Sequence, residues 1–479
     1  MEFKAKFFDV LKTFSKEDYI KFGQFVNSDY FNNSDMLRKL YAIIAKKVSS
    51  DKSLTREFLF ENLYPGKEYR EGTIVNLLSG LYKLSEDYIA MEMYKQESMA
   101  RDRFLLKGLG SRRLNKFFQK NYELAVDELN KAVIHDEEYF YNRFEMDATF
   151  ISYIPTESAN IKTEIIQGCH DKLIDFMIVK ILAVYILMLN NKKYGYDHNF
   201  NMSVMDPVIN YIRNNSFENS PAILIHFNLM MLLKDDEEQY YFKLKELMLA
   251  HDHILMNSAK WPVYICMANF SEIRLDAGIS PEKFSREVYE LYRYIIEKGI
   301  YKIETWYPHL HHRLYINMVQ NGLNQKEFDW CENFMEVYKS ELGEEYRIDT
   351  YNLCRALYFF SLKEFEKSLQ SVNKVQYEDP FYFLMIKAIT LQNYYELGLY
   401  DTMSSTIDSY KHYLKEKTEI PERYKNKHKN FVNVVNKLLK VKFKENKFDR
   451  IGFDTSKDEF KNILKKDWLL EKIAETGKG

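Results

Sequence analysis

With 479 residues, 46% of them hydrophobic, the chain is long enough for about three domain-sized units with a substantial core. Its net charge of -2 makes no overall electrostatic case for nucleic acid or an anionic membrane as partner. Sixteen glycines and nine prolines fall well below average usage of about 7% and 5%, which argues against Gly-rich loops and for long helices.

Abundant tyrosine (37) and phenylalanine (34) suit seams of large side chains between stacked helices. Cys169, Cys266, Cys331 and Cys354 are isolated, with no CxxC pair, so neither a zinc ribbon nor a disulfide framework is predicted and a reducing cytoplasm is the expected compartment. The opening MEFKAKFFDVLKTFSKEDY has no continuous apolar run or small-residue cleavage site, so no secretory signal is expected.

Residues 1–98 read as an amino-terminal helical domain. Ser15 with Asp18 three residues on predicts a capped helix that ends near Val26. A second helix is expected over Met36 to Lys47, and Thr55 opens a third, closed by Tyr64-Pro65-Gly66. From Thr73, the set Ile74, Leu77, Leu78, Leu81, Leu84 and Tyr88 predicts a strongly amphipathic helix. A DNA-binding helix-turn-helix needs a turn of about 3 to 4 residues, and the stretch from Pro65 to Gly72 is about twice that.

Residues 99–221 read as a basic hinge and connecting helices. Seven cationic residues surround Gly108-Leu109-Gly110 between Glu97 and Lys120. No strand is predicted before these glycines, and Arg113 stands where a dinucleotide fingerprint needs its third glycine. Helices are expected over Phe117 to Ile134, Glu137 to Tyr153 and Ala159 to Leu189. The most apolar stretch, Leu173 to Leu189, is interrupted by Asp175 and Lys180 and is short for a membrane span, so it is read as a buried core helix.

Residues 222–440 read as an array of helix pairs. Ser280-Pro281-Glu282 predicts a helix start with a capping serine and a proline at the first helical position. Two consecutive pairs carry the clearest spacing. In the first, Leu353, Ala356, Leu357 and Phe360 share a stripe, a Ser361-Leu362-Lys363-Glu364 corner follows, and Phe365, Leu369, Val372 and Val375 make the second stripe, which Pro380 is expected to end. In the second, Leu384, Ala388, Leu391 and Tyr395 are followed by a corner at Gly398 and then Tyr400, Met403, Ile407, Tyr410 and Leu414. Taking the anchor aromatic as a ruler, Phe328, Phe365 and Tyr400 recur at about the tetratricopeptide period of 34 residues, whereas the steps from Tyr240 to Phe284 and on to Phe328 are longer.

Ala356, Phe359, Ser368 and Pro380 suit the packing positions of the tetratricopeptide pattern, while Asn352, Arg355 and Val372 depart from it. The pairs therefore resemble a degenerate tetratricopeptide-like repeat. More widely, FSKEDYIKFGQFVNSDYFNNSDMLRKLY and LTREFLFENLYPGKEYREGTIVNLLSGLYKL, with the downstream KEFDWCENFMEVYKSEL, EFEKSLQSVNKV and KKDWLLEKI, resemble uncharacterised bacterial proteins that join a helical amino-terminal region to tetratricopeptide-like repeats. That resemblance implies an all-α protein, an α-solenoid of such pairs behind an amino-terminal helical domain, and implies no activity.

Residues 441–479 read as a carboxy-terminal capping helix and tail containing Trp468, Leu469, Leu470 and Ile473. Ahead of it, residues 411–450 hold 13 Lys or Arg against 5 Asp or Glu. Tyr413, Tyr424 and Phe431 interleave with these lysines as stacking residues do in single-strand binders, yet Phe431, Val434, Val435, Leu438 and Leu439 spell the apolar face of a capping helix.

No catalytic, cofactor or metal site is predicted. His309 with His312 would share a helix face, but no third ligand follows from spacing, and neither a phosphate loop nor a GxSxG elbow is present. The expectation is a non-enzymatic, cytoplasmic scaffold or adaptor whose groove holds a peptide segment or a partner's helix. In tetratricopeptide-like stacks the first helix of each pair lines the groove, so the expected contacts are Arg313, Asn317, Asn352, Arg355 and Lys387, and their mostly cationic character would suit an acidic protein or peptide partner. The alternative is a regulator with a nucleic-acid-binding amino-terminal domain and a ligand-sensing repeat array.

Overall fold

A computed structural model of the chain describes residues 5–48, 54–97, 99–132, 135–153, 159–193, 199–217, 220–303, 309–377, 379–417, 420–443, 460 and 462–476. Among the described residues there are 22 α-helices and no strand, and Leu310 and Leu342 form an isolated β-bridge. The protein is all-α. Two compact units emerge, Met1–Ala132 with Tyr139–Leu173, and Val133–Glu138 with Ile174–Gly479.

In the first unit, α1 (Lys6–Leu11), α2 (Lys16–Asn27), α3 (Asp35–Val48) and α4 (Arg56–Leu63) each pack on α5 (Glu71–Gln96). The α2 start is the expected capping box, in which the Ser15 hydroxyl accepts from Asp18 N and the Asp18 carboxylate accepts from Ser15 N. Ile74, Leu78, Leu81, Leu84 and Tyr88 of α5 are buried as their spacing predicts. Phe7, Phe22, Phe25 and Tyr88 pack ring against ring around them, each buried ring contributing about 1.5–3 kcal/mol. So α5 is the hub of this unit.

The basic stretch read as a hinge is helical instead: α6 (Ala100–Ser111) contains both Gly108 and Gly110, and α7 (Asn115–Asn130) follows after a tight corner at Arg113. Gly110 serves close packing, since a Cβ there would run into the Tyr153 ring at the end of α8 (Glu137–Tyr153).

The long α9 (Ala159–Lys193) contributes to both units. It is not the wholly buried core helix expected. Ile178, Val179, Leu182, Tyr185 and Ile186 form one buried stripe, while Met177, Val184 and Leu187 are exposed. Among the described residues, Thr163–Lys193 is the one helix long and apolar enough to cross a membrane.

The second unit continues through α10 (Met205–Asn214), α11 (Pro221–Asp235), α12 (Glu238–Ala250), α13 (Asn257–Asp276) and α14 (Pro281–Glu297). It goes on through α15 (His312–Asn324), α16 (Phe328–Tyr338), α17 (Glu344–Ser361), α18 (Phe365–Val372), α19 (Pro380–Glu396) and α20 (Tyr400–Glu416), and closes with α21 (Glu422–Phe443) and α22 (Lys466–Thr476). From α11 to α20, each odd-numbered helix packs on the even-numbered one that follows it, and α15, α17 and α19 pack on one another in turn.

One corner recurs. Lys326, Lys363 and Gly398 have φ of 62°, 63° and 69°, each two residues before the aromatic that begins α16, α18 or α20. At each, the next backbone N–H reaches back five residues: Glu327 N to Gly322 O at 2.9 Å, Glu364 N to Phe359 O at 2.9 Å, and Leu399 N to Tyr394 O at 2.8 Å. These are Schellman closures, which satisfy carbonyls orphaned at a helix end and require a left-handed residue. The anchor aromatics are therefore the first residues of the second helices.

Small residues permit the hairpins: Ser368 Oγ donates to Ala356 O at 2.8 Å, and both residues are fully buried. Two local expectations change. Pro380 opens α19 behind the capping Asp379, whereas α18 has already ended at Val372, because proline is suited to a first helical position. Ser280 lies at φ 44° and its side chain caps nothing, although Pro281 does open α14.

At the carboxy-terminal end, Phe431, Val432, Val434, Val435, Leu438 and Leu439 of α21 are buried together with Leu469 of α22. Lys472 Nζ lies 3.0 Å from the Glu396 carboxylate and Trp468 Nε1 donates to the same group at 2.6 Å, which ties α22 to α19. Tyr410 Oη donates to Leu384 O at 2.9 Å, so the His428 Nδ1 that lies 2.5 Å from Tyr410 Oη must be the protonated nitrogen. Nε2 of the same ring is left a buried acceptor without a hydrogen bond.

Candidate functional site

The second unit has a cleft of about 550 Å³ where the amino-terminal ends of α15, α17 and α19 meet the turn before α19. Leu310 N donates to Glu341 O at 2.8 Å, and this bridge holds the segment leading into α15 beside the one leading into α17. The residues that follow each segment then face a common space.

His311 caps α15, its Nδ1 accepting from Arg313 N at 3.2 Å. That nitrogen is therefore unprotonated, and burial, with Arg313 beside it, lowers the ring's pKa. The His312 ring stacks on His311 at 4.3 Å and packs on Tyr346 at 4.1 Å. With 8% of its surface exposed, His312 has its pKa pushed down to about 4, chiefly by burial. Both rings are neutral at pH 7.

From α17 come Glu345, Tyr346 and Asp349. Asp349 Oδ1 accepts from Gln376 N at 3.0 Å, and Thr350 one position on bonds the Tyr377 hydroxyl, so α17 fixes the turn before α19 at two points. Tyr377 stacks on Tyr382 at 4.3 Å. Asp379 caps α19 by accepting from Phe381 N at 2.8 Å, and its other oxygen lies 3.5 Å from Arg313 Nη2.

One polar atom here, His312 Nδ1, is buried without a hydrogen bond, while Tyr382 Oη is buried beside the Arg313 guanidinium. Most buried polar groups in folded proteins are satisfied, and leaving one unmade costs about 1–3 kcal/mol. With both histidines neutral, the charge is one guanidinium against three carboxylates.

The residues expected to line a groove are placed as follows. Arg313 lies in the cleft, over the Phe381 ring and paired with Asp379. Asn317 donates to Tyr292 Oη on α14 at 3.3 Å. Arg355 lies 3.6 Å from Glu336 on α16 and over the Phe359 ring, and Lys387 lies over Phe383. Asn352 is half-buried on α17. Arg313 is the one of these five that lines the cleft, and the two other cations are spent on neighbouring rings or a carboxylate.

His309 precedes α15, so it shares no helix face with His312. Among the described residues, no group of three or more His, Cys, Asp or Glu is placed to hold a metal. Neither a protein-family model, nor a curated protein, nor a solved structure matches the chain.

Proposed function

We propose that this chain is a non-enzymatic interaction protein, whose stacked helix pairs form a tetratricopeptide-like solenoid and whose cleft at the starts of α15, α17 and α19 holds a peptide segment of a partner. The recurrence of the same Schellman corner before α16, α18 and α20 supports the repeat. The observation that carries the binding site is the cleft itself, walled by the rings of His312, Tyr346, Tyr377 and Tyr382 and edged by Arg313, Glu345 and Asp349. A peptide backbone or side-chain amide offers donors to the Glu345 and Asp349 carboxylates and acceptors to the Arg313 guanidinium.

The partner segment is uncharged or carries a lysine or arginine at this point, instead of the acidic character that the cations alone would favour. Glu345 is exposed and Asp349 is half-buried, while Arg313 is already paired with Asp379. All four cysteines are free thiols, in keeping with a reducing cytoplasm.

Affinity capture of the tagged full chain, compared with Glu345→Gln together with Asp349→Asn, tests the reading. The asparagine can still accept from Gln376 N, so the turn is kept while two charges are removed. A discrete protein partner that survives elevated salt and is lost with the double variant supports the cleft. A partner held equally by both proteins contradicts it.

A further inference from the structure

A second concave site, of about 410 Å³, lies between α20 and α21. Its walls are two short rows of lysines. Lys411 and Lys415 stand one helical turn apart on α20, and Lys425 and Lys429 stand one turn apart on α21, with Leu414 and Asn433 completing the lining. Packing of α20 on α21 brings the rows face to face.

Among the described residues that line it, a single carboxylate offsets them. Glu422 lies 3.3 Å from Lys425 Nζ and 3.5 Å from Lys429 Nζ, so it is shared by the α21 row. Among the described residues, Lys411 and Lys415 make no ion pair, and the nearby Glu416 is turned to His412 at 3.2 Å. Lys425 is 5% exposed. The groove sets four lysines along its two walls and buries one of them, Lys425, leaving three positive charges in excess of Glu422 among its lining residues. Like charges so placed are costly unless an anion compensates them.

The ligand's chemistry follows from the count and from the neighbouring rings. A single carboxylate carries one charge, whereas each phosphate group brings about 1.5 to 2 negative charges and three strong acceptors. Two adjoining phosphate groups therefore match the excess. Nucleic acid is disfavoured, because the aromatics interleaved with these lysines are engaged inside the fold. Tyr413 stacks on Phe383 at 4.0 Å, Tyr424 packs on Phe381 at 5.1 Å and on His428 at 4.7 Å, and Phe431 is fully buried. No ring of this set is left to stack on a base.

We propose that the groove between α20 and α21 binds a small molecule carrying two adjoining phosphate groups, clasped between Lys411 and Lys415 on one wall and Lys425 and Lys429 on the other. The site is separate from the cleft at α15, α17 and α19, and it stands whether or not that cleft binds a peptide.

Calorimetric titration of the full chain with inorganic pyrophosphate tests it, with inorganic phosphate, an acidic peptide and a single-stranded oligonucleotide as comparison ligands. The expected order places pyrophosphate first. Lys411→Gln with Lys415→Gln, both at unpaired positions, weakens pyrophosphate binding about tenfold or more while the helical spectrum is kept. Arginine at both positions restores it. An equal loss of charge elsewhere, Lys116→Gln with Lys120→Gln, leaves it unchanged. The proposal is overturned if pyrophosphate fails to bind or binds the α20 variant as tightly as the parent. Tighter binding of the acidic peptide or the oligonucleotide, or equal binding of phosphate and pyrophosphate, also overturns it.

Discussion

The cleft at the starts of α15, α17 and α19 and the groove between α20 and α21 handle charge in opposite ways. In the cleft, Arg313 meets Asp379, Asp349 meets a backbone N–H, and burial keeps His311 and His312 neutral. What it leaves unsatisfied is a neutral atom, His312 Nδ1. In the groove the hydrogen bonding is ordinary and the charge is unbalanced, since Glu422 answers one row of lysines and leaves the other bare. The first arrangement selects by shape and hydrogen bonding, and the second by charge. Ionic strength, pH and single-atom substitutions separate the two.

The largest effect is expected from acid. His312 sits near pKa 4 and His428 near 3 in the folded chain, against about 6.5 when unfolded. Depressed values mean that the unfolded state takes up protons which the folded state refuses. Stability is therefore full above about pH 6.5 and falls as pH is lowered toward the folded values, by about 1.4 kcal/mol per pH unit for each such histidine. Urea unfolding between pH 7 and pH 4.5 reads this, and His312→Gln removes one histidine's share of the slope. A slope unchanged by that substitution would mean that His312 is protonated in the fold.

Salt comes next. Pyrophosphate affinity at the groove is expected to fall about tenfold between low and physiological ionic strength, whereas a peptide in the cleft loses about twofold or less. Equal sensitivity at both sites would erase the distinction.

Single atoms sharpen the cleft side. Tyr382→Phe removes a buried hydroxyl beside the Arg313 guanidinium, so thermal unfolding should show the variant within about 1 kcal/mol of the parent, while partner binding weakens. A larger loss of stability would mean that the hydroxyl holds the fold and not a ligand. The smallest effects belong to the corners. Gly398→Ala is expected to destabilise by about 1 kcal/mol and Lys363→Gly to stabilise by a similar or smaller amount, because both residues hold positive φ. Denaturant midpoints measure both.

Much of the fold was legible because helical periodicity is local. The stripe from Ile74 to Tyr88, the capping box at Ser15 and Asp18, and the corners at Lys363 and Gly398 all rest on residues whose partners in the pattern lie within the next turn or two. Gly108 and Gly110 misled because a glycine pair in a basic stretch reads as a hinge, while the Tyr153 ring that requires a small residue lies far along the chain. The cleft was legible in one residue, Arg313. Its other parts come from three helix starts and a turn separated by tens of residues, and no spacing rule joins His312 to Tyr346 and Tyr382. Two local signals were present: Asp379-Pro380 is a cap followed by a first-turn proline, and His311-His312 stands immediately before an apolar periodic run. The aromatic interleaving of residues 411–450 resolved toward packing, because α20 and α21 turn those rings inward and leave their lysines to the groove.

The central claim is that the cleft holds a peptide, and selection of displayed random peptides against the full chain tests it most directly. The account predicts peptides that bind with 1:1 stoichiometry, protect residues 311–313, 345–349 and 379–382 from hydrogen exchange, and lose about tenfold in affinity on Tyr382→Phe with Asp349→Asn. Peptides that bind the double variant as tightly as the parent, or that protect some other surface, would contradict it.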